Sequence, residues 1–234
     1  MTTKPDYDIG IAGQQWGEAE KKQWLARQHI QRSYQQQVLA ELAPVAPGFN
    51  RLQYGELDYR LYGAECYPLY AFSNGLAADK VTVLITGGVH GYETSGVQGA
   101  IRFLQTQAVN YSNYFNIVVL PCISPWGYET INRWNPLAFD PNRNFTNDSP
   151  VAEAAAVVGF IQKLGLPVLA HIDLHETTDS DNSEFRPAKA ARDGEEYDSW
   201  DIPDGFYLVG DTAKPATDFQ QAINQAVSKV TQIA

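Results

Sequence analysis

Basic residues are scarce in this sequence and nowhere bunched. Lys and Arg number 17 against 27 Asp and Glu in 234 residues, for a formal net charge of −10. Without a Lys/Arg-rich run the chain lacks the electrostatic footprint of a nucleic-acid binder, and the carboxylate excess argues against a phosphate-binding surface. Long apolar runs are also missing. No stretch approaches the roughly 18 apolar residues that cross a bilayer as a helix, so a membrane partner is not expected. The start, M-T-T-K-P-D-Y-D, has neither the basic nor the apolar region of a secretory signal. Cysteine is nearly absent: Cys66 and Cys122 stand alone, without C-x-x-C spacing. Cys122 sits in an apolar run and reads as a small buried hydrophobe, which fits a reducing cytoplasm. Repeats, low-complexity tracts and linkers are missing too, so residues 1–234 read as one domain with a polar, loosely held arm over 1–17.

What is present suffices for a sizeable core, with 44% hydrophobic and 12% aromatic residues. Trp24, Leu25, Ile30, Tyr34, Val38, Leu39 and Leu42 recur near helical spacing and predict one long helix from Glu18 to Leu42, stopped by Pro44 and Pro47-Gly48. It is expected to pack on its own domain, with a homo-oligomer contact as the alternative. Aromatic-rich segments at Arg51–Tyr54, Leu57–Tyr62 and Tyr67–Phe72 read as antiparallel hairpin strands. Beyond them strand and helix alternate: strands at 81–86, 116–121 and 168–174, helices near 94–107 and 150–164. A fourth strand is expected at Phe206–Val209 and a last helix from about Thr217 to Ile233. The fold class is therefore α/β, a mostly parallel, doubly wound mixed sheet with helices on both faces. Residues 176–205 read as a long polar loop forming one wall of a cleft.

The chemistry concentrates where strands end. In V-T-V-L-I-T-G-G-V-H-G-Y-E, residues 81–93, two glycines break a buried strand, then His90 and Glu93 follow before a helix that Thr94 and Ser95 could cap. In V-L-A-H-I-D-L-H-E-T the two-residue alternation puts Leu169, His171, Asp173 and His175 on one face, with His175 at the strand end. Open α/β sheets bind ligands at that edge. His90, Glu93 and His175 make a His/Glu/His set with a position left for water, the arrangement of a catalytic rather than a structural zinc. His171 and Asp173 are expected as partners behind that set, a second metal being the alternative. Glu176 should point away from the metal. Between these stretches, I-N-R-W-N-P-L-A-F-D-P-N-R-N-F, residues 131–145, carries Arg133, Asn142 and Arg143. A guanidinium can grip a carboxylate through two parallel hydrogen bonds or steady a developing oxyanion.

H-G-Y-E at 90–93, P-W-G-Y at 125–128, D-P-N-R-N-F at 140–145 and D-L-H at 173–175 together resemble, in order and spacing, the zinc carboxypeptidases and their cousins, the succinylglutamate desuccinylase and aspartoacylase group. H-G-x-E and D-L-H lean to the deacylase side, D-P-N-R-N-F and P-x-G-Y to the peptidase side. The resemblance implies a zinc-carboxypeptidase-like fold and one zinc ion held by His90, Glu93 and His175. It gives Arg133 the scissile carbonyl, Asn142 and Arg143 the substrate's terminal carboxylate, and Asp140 the orientation of the first zinc histidine. The implied activity is zinc-dependent hydrolysis of an amide next to a free carboxylate by a metallocarboxypeptidase. An N-acyl amino acid deacylase and a non-catalytic metal-binding module are the alternatives, with a peptide or an N-acyl amino acid as substrate. In the resembled families the general-base glutamate lies on a later strand, so by analogy it is expected near or past Ala234. The chain is accordingly expected to be incomplete at its C-terminus, with Glu184 as the internal alternative.

Overall fold

Five strands, β1 (Asn50–Asp58), β2 (Cys66–Ser73), β3 (Val81–Gly87), β4 (Phe115–Leu120) and β5 (Val168–Leu174), build one sheet in the order β1-β2-β4-β3-β5. The computed structural model describes residues 7–44, 48–197 and 201–234. They fall into two units, Trp16–Glu176 and a second made of Met1–Gln15 with Thr177–Ala234.

In the first unit α1 (Glu18–Leu25) is followed by a π-helical turn at Gln35–Leu39 and a short α2 (Ala40–Leu42). Strands β1 (Asn50–Asp58) and β2 (Cys66–Ser73) pair antiparallel, and β2 then pairs antiparallel with β4. Strand β3 (Val81–Gly87) leads into α3 (Thr94–Thr106) and α4 (Ala108–Tyr111). Next come β4 (Phe115–Leu120), α5 (Pro125–Thr130), α6 (Ala152–Leu164) and β5 (Val168–Leu174). Both β4 and β5 run parallel to β3, one on each side of it. This is the mixed, largely parallel α/β architecture that the alternation predicts, with its ligand edge at the carboxyl ends of the parallel strands.

Helix α3 buries Val97, Ala100, Ile101 and Leu104, a one-sided stripe at helical spacing. Gly96 lets it lie directly on β5, since a Cβ there would overlap the Leu174 carbonyl. On the sheet's other face Leu84, Val118 and Leu120 form a cluster with Ala71, Ile123 and Val157, against which Phe160, Ile161 and Leu164 of α6 pack. Cys66 and Cys122 are free thiols, the second buried. Among the described residues no helix is long and apolar enough to cross a membrane.

Several expected elements differ. The helix over Glu18–Leu42 is interrupted after Leu25, because the backbone N–H groups of Gln31 and Arg32 donate to Glu129 O (2.8 and 3.2 Å) instead of to their own chain. The hairpin has two strands, not three: the register shifts at Tyr54, a bulge between Gln53 and Gly55 within β1, and Arg60–Tyr62 forms a 3₁₀ turn. Within the segment expected as an arm, Ile9 and Trp16 are buried, and Trp16 meets Trp134 edge-on at 6.1 Å.

In the second unit the polar stretch read as loop contains a π-helical turn at Asp181–Phe185 and α7 (Arg186–Asp193), closed by Gly194 at φ 69°. Its helix buries only Pro187, Ala188 and Ala190, too small a stripe to register against its charged residues. Phe206 makes one parallel bridge to Ile233 in place of the expected strand, and α8 (Thr217–Val227) ends before that bridge. Glu184 lies on the π-helical turn.

Candidate metal centre

The site is assembled by strand register. Gly87 of β3 lies opposite Leu174 of β5, so His175 leaves the sheet level with Gly88, two residues before His90. The loop after β3 is then stitched to the chain after β4: Ile123 N donates to Gly87 O (3.1 Å), Ser124 N to Gly88 O (2.9 Å) and Ser124 Oγ to Val89 O (2.6 Å). At Gly91 this loop crosses the first turn of α5. A Cβ on Gly91 would overlap Tyr128 N and the carbonyl carbon of Gly127, which explains the glycine in both H-G-Y-E and P-W-G-Y.

His90 and Glu93 are each 2% exposed, while the His175 side chain is about a third exposed. Glu93 stands between the two imidazoles. Its Oε1 is 2.7 Å from His90 Nδ1 and its Oε2 is 2.7 Å from His175 Nδ1. The far nitrogen of each ring is held by an aspartate: His90 Nε2 by Asp140 Oδ1 at 3.0 Å, His175 Nε2 by Asp173 Oδ2 at 2.6 Å. Asp173 is itself fixed by Thr86 Oγ1 (2.5 Å), which His171 Nε2 also meets at 2.8 Å. Because the threonine proton goes to Asp173, His171 donates to the hydroxyl and keeps no role among the three donors.

Electrostatics reinforce the arrangement. Burial raises the Glu93 pKa, but hydrogen bonds from His175 and His90 outweigh it and bring the carboxyl down to about 2. Burial likewise opposes charge on His175, yet its bonds to Asp173 and Glu93 carry the imidazole up to about 10. Asp140 is also held well below the usual carboxylate range: burial works against ionisation, and His90, Arg133 and Arg143 overcome it.

The donors fit a metal. One ligand atom from each of His90, Glu93 and His175 lies within 4.8 Å of the others, and no other such group occurs among the described residues. Two imidazoles and one carboxylate are zinc-type donors. An aspartate on the outer nitrogen of each ring fixes the tautomer that frees the inner one.

The remaining expected residues surround this trio unevenly. Arg133 lies beside it, its Nε on Asp140 Oδ2 (3.1 Å) and its Nη1 on the Tyr92 hydroxyl (3.3 Å). Asn142 lies in a 3₁₀ turn, Pro141–Arg143, whose start is capped by Asp140 Oδ1 accepting from Asn142 N at 2.9 Å. Asn142 also lines a cavity of about 410 Å³, with Thr86, His171 and Asp173 and an apolar wall of Leu84, Val89, Ile123, Phe145, Val157 and Ile161. Arg143 is exposed; its backbone N donates to Asp140 O at 3.1 Å, and its Nη1 meets Asn142 O at 3.4 Å.

Thr86, Tyr92 and Glu176 were not legible as site residues from sequence. Thr94 and Ser95 do not cap α3. Its N-cap residue is Glu93, whose carboxylate is engaged by the histidines, and Glu176 Oε2 accepts from Ser95 N at 2.9 Å in its place.

The fold and site together define an α/β domain with a candidate two-histidine, one-glutamate metal site at the carboxyl edge of its sheet. The model of the succinylglutamate desuccinylase/aspartoacylase catalytic domain matches residues 79–197, half of the chain, and the chain belongs to this hydrolase family. Among solved structures, a presumed metallopeptidase from Shewanella denitrificans OS217 is 20% identical over 67% of this chain and 63% of its own, with a TM-score of 0.50. A presumed carboxypeptidase A from the same species is 18% identical over 62% and 39%, with a TM-score of 0.48. Bovine thrombin-activatable fibrinolysis inhibitor is 16% identical over 66% and 62%, also at 0.48. The first of these shows the fold. The chain thus spans from 39% to 63% of the length of these three structures. No curated protein matches it significantly.

Proposed function

We propose that the chain is a zinc-dependent hydrolase of an amide bond next to a free carboxylate, with residues 1–234 as one catalytic domain. The observation that carries this reading is Glu93 between two imidazoles whose outer nitrogens are each held by an aspartate. His90, Glu93 and His175 would hold the zinc. When bound, zinc supplies a Lewis acid for the carbonyl and lowers the pKa of its water towards neutrality. Arg133, aimed by Asp140 and Tyr92, would stand over the carbonyl oxygen and share the charge that develops there. Asn142 and Arg143 would receive the substrate's carboxylate, the exposed guanidinium through a two-point grip. The cavity beside Asn142 would take the apolar part of the substrate.

Two substrate classes satisfy this geometry. A peptide with a free C-terminus fits the D-P-N-R-N-F turn. An N-acyl amino acid fits H-G-Y-E and D-L-H, and membership of the desuccinylase/aspartoacylase family favours it. Arg143→Lys keeps the charge but loses the planar fork. Catalytic efficiency on N-acyl amino acids and on free-C-terminal peptides should fall about tenfold or more, in line with a lost bidentate contact. Amide or ester analogues without that carboxylate should react alike with both proteins. Equal losses on the free-carboxylate substrates and on their amide or ester analogues would remove Arg143 from carboxylate recognition.

A further inference from the structure

We propose that Arg32 is a positioning residue for the metal centre, acting through the backbone of the 90–94 loop. This rests on the reading of His90, Glu93 and His175 as metal ligands. Arg32 precedes the family-matched residues 79–197, so no family position assigns it a role.

The guanidinium of Arg32 joins three points that are far from it in sequence. Its Nη2 donates to Gly91 O (2.8 Å), its Nη1 to Thr94 Oγ1 (2.7 Å) and its Nε to Tyr128 O (2.5 Å). Its Cζ lies 3.6 Å from the centroid of the Tyr128 ring. The first two contacts bracket Glu93, and Gly91 follows His90 directly. The third ties the same plane to α5, across the point where Gly91 and Gly127 meet. Gly91 has no side chain with which to hold itself, so an outside donor sets the height of the loop above α5.

The clamp is anchored before it grips. Gln31 N and Arg32 N donate to Glu129 O, and Tyr34 N donates to Glu129 Oε1 at 2.7 Å. The second oxygen of Glu129 accepts from the Tyr67 hydroxyl at 2.9 Å. The Arg32 backbone is therefore fixed independently of its side chain. Only a planar group with five donors spans two carbonyls and a hydroxyl while stacking on an aromatic ring. An ammonium at the same place reaches one or two of them.

The test is the zinc affinity of the full chain, measured by competition with a chromophoric chelator for wild type, Arg32→Lys, Arg32→Ala and His175→Ala. Far-UV circular dichroism and the metal-free melting temperature serve as folding controls. The expected result is a loss of about 10–100-fold in affinity for both Arg32 variants, the range typical of outer partners of metal ligands. Millimolar methylguanidinium should restore affinity to Arg32→Ala and leave wild type unchanged. If Arg32→Ala fails to fold, Arg32→Lys decides the matter alone. Unchanged affinity in a folded Arg32 variant, or a loss that methylguanidinium leaves unrepaired in folded Arg32→Ala, overturns the positioning role while the metal reading stands. A wild-type chain without tight zinc, or a His175→Ala chain that binds as tightly, sinks the metal reading and this inference with it.

Discussion

Glu153 shows how a single residue supports the site from behind. It is 1% exposed, accepts from the Tyr59 hydroxyl at 2.6 Å and from Asn135 Nδ2 at 3.2 Å. Asn135 Oδ1 in turn accepts from Leu137 N (3.0 Å) and Phe139 N (3.1 Å), shaping the loop that carries Arg133 and Asp140. Burial raises the Glu153 pKa, with the Tyr59 and Asn135 bonds offsetting only part of it. The folded chain thus holds the proton more tightly than the unfolded one, whose glutamate titrates near ~4.3. Its contribution to stability is complete below that value and is lost as pH rises through the folded pKa. Chemical denaturation of Glu153→Gln should accordingly show a flatter stability profile between pH 4 and 7 than wild type. Parallel profiles would mean that Glu153 ionises without penalty. None of this was legible beforehand, because Tyr59 and Glu153 are 94 residues apart. The convergence of His90, Glu93 and His175 was legible because strand ends mark them.

At the scale of elements, the parallel strands and the helices between them follow from alternation and from an apolar stripe such as Val97, Ala100, Ile101 and Leu104. Two of the failures share one cause. The break after Leu25 and the start of α3 are decided by hydrogen bonds to distant segments, which periodicity does not record. The start of α3 is the clearest case. Its N-cap side chain serves the histidines, and a carboxylate from the end of β5 satisfies the first turn instead. Glu176→Ala should therefore destabilise the fold by about 0.5–1 kcal/mol, as the loss of an exposed cap does. Urea titrations with an unchanged m-value would measure it. A difference within error would show that water replaces the cap freely.

For the whole molecule, the proposed zinc site would link metal to fold by mass action. His90, Glu93 and His175, which follow two separate strands, converge only in the folded state, so zinc bound there would stabilise it. At a free zinc concentration about 100-fold above Kd the gain is about 2.7 kcal/mol. For a chain of this length that corresponds to roughly 5–10 °C in the transition that reports on Trp16–Glu176. A zinc-dependent shift in Tm should appear in wild type and vanish in His175→Ala. A shift of equal size in that variant would place the stabilising ion elsewhere.

The contact between Gly91 and Gly127 has a consequence for anyone wishing to retarget this chemistry. Two backbones pressed together without side chains form a datum, the reference from which other positions in the cleft are set, and neither glycine can be varied without moving it. On the proposed reading, new specificity would come from half-buried or exposed side chains such as Asn142, Arg143 and Phe145, which can change while the datum stays where it is.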